Sequence, residues 1–291
     1  MTPPERTALP QAFFLPDGAG GQRFCLFYPP QGATCRGRVL YLHPFAEELN
    51  TTRRVVAQQA RALAHAGYAV LQVDLLGCGD SSGDFADATW EAWQADALRA
   101  HGWLQQHASG PLWVWGLRAG ALLATHLVAQ LNTQHPGTAT PPAHLLLWQP
   151  VVSGLLVLQQ FLRLHAAAQW LGNGDANQPS PAQALAQGQP VDIAGYTLTP
   201  ALAQGMGQAA LQPPPGAHPG QLVWLDVSPL EAPPTTSPAT EKTLTAWRSA
   251  GWQVQAHTVA SPAFWQTVGT EHAPALIQAT LAALHMPGPT P

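Results

Sequence analysis

The stretch that decides the fold is Trp115–Leu122, which reads W-G-L-R-A-G-A-L. It has the frame G-x-S-x-G, in which a serine stands on a sharp turn between a strand and a helix and acts as a nucleophile. Here Arg118 takes the central position, between Gly116 and Gly120. We expect the two glycines to let the strand and the helix come close together. Because arginine has no hydroxyl, the frame predicts the turn but argues against the usual attack on an acyl carbon.

Strand-like and helix-like segments alternate on both sides of this turn. Short β-branched or aromatic runs predict strands at 38–42, 68–73, 111–115, 144–148, 221–227 and 252–259. Apolar residues at helical spacing predict helices at 50–67, 89–107, 119–130, 242–250 and 273–285. The alternation predicts an α/β fold with a mostly parallel sheet flanked by helices. We expect one domain over residues 1–291, with an edge hairpin at 13–28 and a cap insertion at about 151–220.

Composition narrows the classes of function. Only 10% of the 291 residues are charged, the net charge is −4, and Lys242 is the only lysine. The sequence therefore shows no basic surface of the kind that nucleic-acid binding needs. Cys25, Cys35 and Cys78 are widely spaced and form neither a disulfide framework nor a zinc pattern. No segment is apolar enough for a membrane span, and the first residues do not resemble a signal peptide. We therefore expect reduced thiols, a cytoplasmic protein, and no metal or other cofactor.

A glycine-rich segment follows the second predicted parallel strand. Asp74–Gly83 reads D-L-L-G-C-G-D-S-S-G, and Asp74 and Ser81 are residue types that bind loop backbone groups. The alternative is a generic glycine-rich loop, such as a phosphate cradle. The glycine spacing does not fit the dinucleotide fingerprint G-x-G-x-x-G at the start of a helix. We expect this loop to be structural.

A polar segment follows the first predicted parallel strand. His43–Arg54 reads H-P-F-A-E-E-L-N-T-T-R-R. One reading is a capped, salt-bridged start of a helix. The other is that His43, Phe45, Glu47 and Glu48 form the wall of a pocket beside the turn at Arg118, where such a loop supplies a backbone N–H to a reacting oxygen.

Arg118 itself has three readings. It is a surface arginine, since most arginines are exposed. Alternatively, the guanidinium joins the N-terminus of the following helix to bind an anion. In the third reading, Glu47 or Glu48 neutralises it internally. In the second and third readings Leu117 and Ala119, which flank Arg118, belong to the pocket.

An acid and a histidine normally follow the nucleophile in this order along the chain. Asp226 ends a predicted strand, Glu231 lies in the loop after it, and His272 precedes the last helix. These three residues are therefore candidate catalytic groups. Among 12 histidines, however, His272 could equally begin that helix on the surface. Without a serine, the histidine would have no nucleophile to activate at the turn.

Taken together and in this order, these motifs resemble the α/β-hydrolase superfamily. More narrowly, the chain resembles the bacterial exosortase A system-associated hydrolase 2 family, which belongs to exopolysaccharide and protein-sorting loci. The segments that carry this resemblance are 43–54, 115–122, 148–166, 192–202 and 262–265. The resemblance implies the α/β-hydrolase fold and a hydrolase by name.

Three functions remain open from the sequence. The first is hydrolysis of ester-like substrates in exopolysaccharide or envelope assembly, with water activated by His272 and Asp226 or Glu231. The second is non-catalytic binding of an acidic small molecule or glycan-related ligand at Arg118. The third is a scaffold for protein partners encoded in the same locus.

Overall fold

The computed structural model describes residues 9–134, 142–171, 179–214, 218–229, 236–266 and 272–285. Within these ranges ten strands and eight helices follow one another as β1 (Gln11–Pro16), β2 (Gln22–Tyr28), β3 (Gly37–Leu42), α1 (Glu48–His65), β4 (Tyr68–Val73), α2 (Trp90–His107), β5 (Leu112–Leu117), α3 (Gly120–Gln134), β6 (His144–Trp148), α4 (Gly154–Leu171), α5 (Pro181–Ala186), β7 (Val191–Ile193), β8 (Tyr196–Leu198), α6 (Pro200–Gly207), β9 (Gln221–Ser228), α7 (Pro238–Ser249), β10 (Gln253–Ala260) and α8 (Pro274–His285).

Eight of the strands form one sheet in the order β1-β2-β4-β3-β5-β6-β9-β10. The strands from β4 to β10 in this order pair in parallel, while β2 pairs antiparallel with both β1 and β4. The predicted α/β class, the parallel sheet and the edge hairpin are therefore confirmed. A separate two-stranded sheet pairs β7 with β8 inside the segment that connects β6 to β9.

The sheet is buried on both faces because side chains alternate along each strand. In β5, Val114 belongs to the core that also contains Trp93 of α2 and Leu122 of α3. Its neighbour Trp115 belongs to the opposite core, together with Val56 of α1 and residues of α8. Helices therefore cover both faces, and the carboxyl ends of the strands remain at one edge of the sheet.

Element boundaries differ from the sequence prediction where local capping decides them. Helix α7 begins at Pro238, four residues before the predicted start, because Ser237 Oγ accepts a hydrogen bond from the amide of Thr240. Strand β5 runs two residues past its predicted end at 115, to Leu117. The turn at Arg118 therefore follows the strand directly.

Residues 151–220 hold five of the described elements between β6 and β9, namely α4, α5, α6 and the paired strands β7 and β8. In the described ranges, no helix combines the length and hydropathy that a membrane span needs. All three cysteines carry free thiols.

Candidate functional site

Arg118 stands on the turn between β5 and α3, as the sequence predicts. Its φ of +54° lies in the left-handed region, which costs a non-glycine residue about 1 kcal/mol or more. The turn is fixed by its own backbone, since the amide of Arg118 donates to the carbonyl oxygen of Trp148 at 3.0 Å. The carbonyl oxygen of Arg118 accepts from the amide of Ala121 at 3.1 Å. The backbone thus presents one side chain beyond the carboxyl end of β5.

The two flanking glycines are required by close backbone contacts. A Cβ at Gly116 would lie 2.5 Å from the Cα of Ala121, and a Cβ at Gly120 would lie 2.2 Å from the carbonyl oxygen of Leu42. Real Cβ atoms do not approach other atoms this closely, so β5, β3 and the start of α3 pack together only with glycine at both positions. The predicted role of Gly116 and Gly120 is confirmed.

Arg118 is paired inside the protein. Its Nε and Nη2 both lie 3.2 Å from Oε1 of Glu48, and the two side chains are only 14% and 19% exposed. The guanidinium carbon also lies 5.3 Å from the centre of the Trp265 ring, within range of a cation–π interaction. Of the three readings of Arg118, internal neutralisation by Glu48 is confirmed.

Trp265 is held in this position by α1. The Oγ1 of Thr51 lies 3.0 Å from the carbonyl oxygens of both Glu48 and Trp265. Thr51 therefore connects the first turn of α1 with the segment that follows β10. As a result, one carboxylate, one guanidinium and one indole form a compact group, which we call the Arg118 cluster (Glu48, Arg118 and Trp265).

A cavity of about 700 Å³ opens beside the Arg118 cluster. The polar and charged residues that line it are Glu47, Glu48, Thr51, Arg118, Gln149, Gln160 and Gln266. The apolar residues that line it are Phe45, Ala119, Val151, Val157, Phe161, Leu164 and Trp265. Phe45, Glu47 and Glu48 of the loop after β3 thus lie in this lining. That they form the wall of a functional pocket stays a prediction. One wall comes from α4, which the sequence places in the insertion.

The two carboxyl groups of the cavity are poorly solvated. Burial raises the pKa of Glu48 to about 7, although Arg118 acts in the opposite direction. Burial also raises the pKa of Glu47 above its usual value. The Oε2 of Glu47 is buried and has no hydrogen-bond partner among the described residues. A residue of the cavity lining therefore carries a buried acceptor without a described partner.

Backbone amides of the cavity wall offer a second kind of contact. Ala119 follows Arg118, and Phe45 lies in the loop after β3, the two places from which this type of turn supplies N–H groups to an oxygen. Within the described ranges no hydrogen bond uses the amide of either residue. Both residues line the cavity. These amides are candidates for binding a carbonyl oxygen.

His43 and Leu117 lie outside this cavity lining. His43 Nδ1 donates to the carbonyl oxygen of Pro44 at 2.7 Å, and Nε2 accepts from the amide of Leu75 at 3.3 Å. Burial lowers the pKa of His43, so the ring stays neutral. Its two hydrogen bonds join the loops after β3 and β4. Leu117 is fully buried in the core with Trp115. His43 lines a small adjacent cavity with Phe45 and Ala119. The expected place of His43 and Leu117 in a functional pocket therefore stays a prediction.

The candidate acid and histidine have other described partners. His272 is exposed, and its Nε2 and Nδ1 lie 3.3 Å from Arg54 Nη2 and 3.2 Å from Gln58 Nε2. Asp226 Oδ1 accepts from Trp224 Nε1 at 2.8 Å. Neither residue is among the described residues that line the cavity. Glu231 lies outside the described residues, so a catalytic acid–histidine pair stays a prediction with no described contact.

The glycine-rich loop after β4 is structural. Ser81 Oγ donates to the carbonyl oxygen of Asp74 at 2.6 Å and accepts from the amide of Phe24 at 2.9 Å. Asp74 Oδ2 accepts from the amide of Asp80 at 3.2 Å and from Arg53 Nη2 at 2.8 Å. The predicted backbone-binding roles of Asp74 and Ser81 are confirmed.

Several lining residues could not be found from sequence patterns. Trp265, Phe161 and Gln149 come from three separate segments, and only the fold brings them to one cavity. Gln149 has φ of +40°, and its Oε1 accepts from the amide of Val227 at 2.5 Å. The only sequence signal was that the resemblance segments 148–166 and 262–265 contain these three residues.

Restoring a hydroxyl at the turn should not restore hydrolysis. We expect Arg118→Ser to hydrolyse p-nitrophenyl butyrate no faster than wild type, because His272 and Asp226 contact other residues and a nucleophile, base and acid act only as a unit. The release of p-nitrophenol measures this, with circular dichroism to verify folding. A clear gain in rate over wild type would show that a base does reach the turn.

Comparison with known proteins gives a family and a fold. The family model described as X-Pro dipeptidyl-peptidase (S15 family) matches residues 26–285. The lysophosphatidylserine lipase ABHD12 of Danio rerio is 34% identical over 113 residues, which are 38% of this chain and 27% of that protein. Its counterpart from Mus musculus is 30% identical over 126 residues, 43% of this chain and 29% of that protein. The matches thus span less than a third of these relatives.

Solved structures match over almost the whole chain at low identity. Est1E from Butyrivibrio proteoclasticus with bound ferulic acid has a TM-score of 0.59 at 14% identity, covering 94% of this chain and 96% of that one. A soluble monoglyceride lipase variant from Saccharomyces cerevisiae has a TM-score of 0.60 at 13% identity, with 96% of each chain covered. This likeness shows the α/β-hydrolase fold.

Among the described residues, no group of three or more His, Cys, Asp or Glu could hold a metal ion.

Proposed function

Because the chain belongs to the X-Pro dipeptidyl-peptidase (S15) family and holds Arg118 where a nucleophile would stand, we propose that it is a non-catalytic binding protein. Its ligand is a neutral amphipathic molecule with a short acyl chain and hydroxyl groups. The observation that carries this proposal is the ion pair between Arg118 and Glu48 beside the cavity. The pair occupies the position of the nucleophile and offers no hydroxyl to an acyl carbon.

The lining of the cavity supports an amphipathic ligand. The apolar side chains, Phe45, Phe161 and Leu164 among them, offer a surface to an acyl chain. At the polar side, Glu47 lines the cavity, and its carboxyl group can accept a hydrogen bond from a ligand hydroxyl. The amide of Ala119 can donate to the carbonyl oxygen of an ester. An acylated glycerol or sugar carries all three groups.

The charges of the cavity favour a neutral ligand over an anionic one. Arg118 already has a carboxylate partner in Glu48, so a ligand carboxylate would have to compete with Glu48 for the guanidinium. Glu47 adds a second acidic group to the same lining. A desolvated anion without a cation of its own is costly, since an unpaired buried charge loses its hydration. This reverses the expectation from the sequence, in which Arg118 anchors an acidic ligand.

The test compares two ligands with the same chain length. At pH 7.5 we expect wild type to bind monooctanoylglycerol about tenfold more tightly than octanoate. In Glu48→Gln the guanidinium of Arg118 loses its competing carboxylate, and the affinity for octanoate should rise about tenfold. The affinity for monooctanoylglycerol should change by less than about threefold. Isothermal titration calorimetry measures all four affinities.

Glu47→Gln is the matched control, because it removes one carboxylate from the same cavity without freeing Arg118. We expect it to weaken monooctanoylglycerol and to change octanoate binding less than Glu48→Gln does. Tighter binding of octanoate than of monooctanoylglycerol by wild type would contradict the proposed ligand class. Equal octanoate affinity in wild type and Glu48→Gln would show that the ion pair does not control the site.

A second candidate function is hydrolysis without a serine, and one observation favours it. A carboxyl group with a pKa of about 7 is suited to act as a general base near neutral pH, and Glu48 lies in the cavity lining. In this case Glu48 would take a proton from a water that attacks a bound ester. Slow hydrolysis of p-nitrophenyl butyrate by wild type, lost in Glu48→Gln, would support this candidate over binding alone. Hydrolysis by a water that His272 activates together with Asp226 or Glu231 is a second form of this candidate function.

The setting of this function is part of the proposal. The resemblance to the exosortase A system-associated hydrolase 2 family supports a bacterial role in exopolysaccharide or envelope assembly, with a glycan-related acylated ligand. The ABHD12 relatives are named as lysophosphatidylserine lipases. A lysophospholipid shares the single acyl chain of the proposed ligand but not its neutral headgroup. A role as a scaffold for protein partners is supported by Leu155 and Leu156 on α4, because both side chains are exposed.

A further inference from the structure

A second cavity lies at the opposite edge of the sheet from Arg118. Its volume is about 450 Å³. Arg38 near the start of β3 and Leu112 at the start of β5 line it, together with His101 of α2 and Asn132 of α3. The Arg118 turn follows the other end of β5, six residues along the strand and therefore about 20 Å away. The two cavities are distinct.

This second cavity contains two buried donors without partners. Within the described ranges, the Nε of Arg38 and the Nδ2 of Asn132 are inaccessible to solvent and make no hydrogen bond. Buried polar groups in folded proteins nearly always have a partner. As whole residues, Arg38 and Asn132 are only partly buried. A small movement of either side chain therefore turns its donor into the cavity, where an acceptor from outside the chain can complete it.

The charge of Arg38 also lacks a protein counterpart. No Asp or Glu is among the described residues that line this cavity. All of these residues lie in the segments 18–46, 97–174 and 193–225, which contain no Asp or Glu. No ion pair of Arg38 occurs among the described residues. A guanidinium in a concave site without a carboxylate selects for an anionic ligand. The first cavity differs in this respect, because Glu48 neutralises Arg118.

His101 keeps the second cavity from having a stronger positive charge. Burial lowers the pKa of His101 to about 4, and the nearby Arg38 adds to this effect. The imidazole is therefore neutral near pH 7 and can take part in hydrogen bonding. The apolar remainder of the lining includes Pro111, Leu112 and Leu131. One cation, one amide and an apolar wall fit a single planar anion attached to an apolar body.

We propose that the cavity lined by Arg38 and Asn132 is a second ligand site, which binds a small carboxylic acid with an apolar body. The planar guanidinium matches the geometry of a carboxylate, and the amide of Asn132 donates to the same group. The apolar body lies against Pro111, Leu112 and Leu131. This site is independent of the ligand and of the chemistry proposed for the first cavity.

The test uses benzoate as the probe and benzamide as its neutral counterpart. We expect wild type to bind benzoate saturably and benzamide at least tenfold more weakly, by calorimetric titration. Arg38→Gln should weaken benzoate binding tenfold or more, and Asn132→Leu should weaken it severalfold. A crystal structure with benzoate should place its carboxylate between Arg38 and Asn132. This last readout does not depend on the folding of any variant.

Two controls assign the effect to this site. Arg36→Gln removes a charge from the neighbouring surface, where Arg36 lies 5.7 Å from the centre of the Tyr68 ring, and it should bind benzoate like wild type. Arg248→Gln removes an exposed charge on α7, outside both cavities, and should also leave benzoate binding unchanged. The proposal is overturned if wild type shows no saturable binding up to about 10 mM benzoate, or if Arg38→Gln binds as wild type does. Benzamide binding as tightly as benzoate, or density for benzoate at Arg118 alone, would overturn it as well.

Discussion

Gly120→Ala should lower the free energy of unfolding by about 3 kcal/mol or more. The added Cβ would lie 2.2 Å from the carbonyl oxygen of Leu42 and 2.7 Å from that of His43. Both neighbours are backbone atoms of β3 and its loop, so neither can rotate away. The start of α3 must move away from β3, which also displaces the turn at Arg118. Thermal denaturation followed by circular dichroism should show a fall in Tm of about 6 °C or more.

Gly102→Ala is the control for this change. Gly102 lies within α2, and a Cβ there would meet no other atom within 4 Å. Because alanine favours a helix over glycine, we expect this variant to be more stable than wild type by about 0.5–1 kcal/mol. Equal Tm values for Gly120→Ala and Gly102→Ala would contradict the close packing at the turn.

Glu48→Gln should change how the stability of the protein depends on pH. Burial raises the pKa of Glu48 to about 7 from 4.5, so the folded state keeps a proton that the unfolded state releases at lower pH. The stability that wild type gains from the protonated carboxyl is complete below pH 4.5 and is lost as the pH rises to about 7. Over this window wild type should lose on the order of 3 kcal/mol relative to Glu48→Gln. Urea denaturation of both proteins at several pH values measures the difference.

At each pH, the difference in free energy of unfolding between wild type and Glu48→Gln isolates the contribution of Glu48 from those of the other titrating groups. Glu241→Gln is a control at an exposed pair with Arg248, and it should differ from wild type by less than about 1 kcal/mol at every pH. A wild type that gains stability relative to Glu48→Gln as the pH rises would show that Arg118 outweighs burial at this carboxyl.

The sequence was sufficient for the parts of the fold that depend on local patterns. The frame around Arg118 predicted the turn because Gly116 and Gly120 are required by backbone contacts within that same stretch and with β3. The strand at 144–148 was predicted with its observed bounds, since it is a short apolar run between loops. The glycine-rich loop after β4 was also predicted, because Asp74 and Ser81 bind nearby backbone groups.

The candidate site depended on contacts that no local pattern contains. Glu48 was one of two equivalent glutamates, and only the position of the first turn of α1 selects it over Glu47 as the partner of Arg118. Trp265 approaches the guanidinium from a segment more than a hundred residues away. His272 was selected by its order in the chain, yet its described contacts are with α1. Chain order gives no distance between side chains.

The most direct test of the binding function is calorimetric titration of wild type with monooctanoylglycerol, followed by chromatography of the same sample. We expect saturable binding with one ligand per chain, and the ester should be recovered intact after many hours. An acyl chain on the apolar wall and an unchanged ester bond both follow from a turn that carries Arg118 paired with Glu48. Release of octanoate at a rate that increases with protein concentration, or no binding at all, would contradict it.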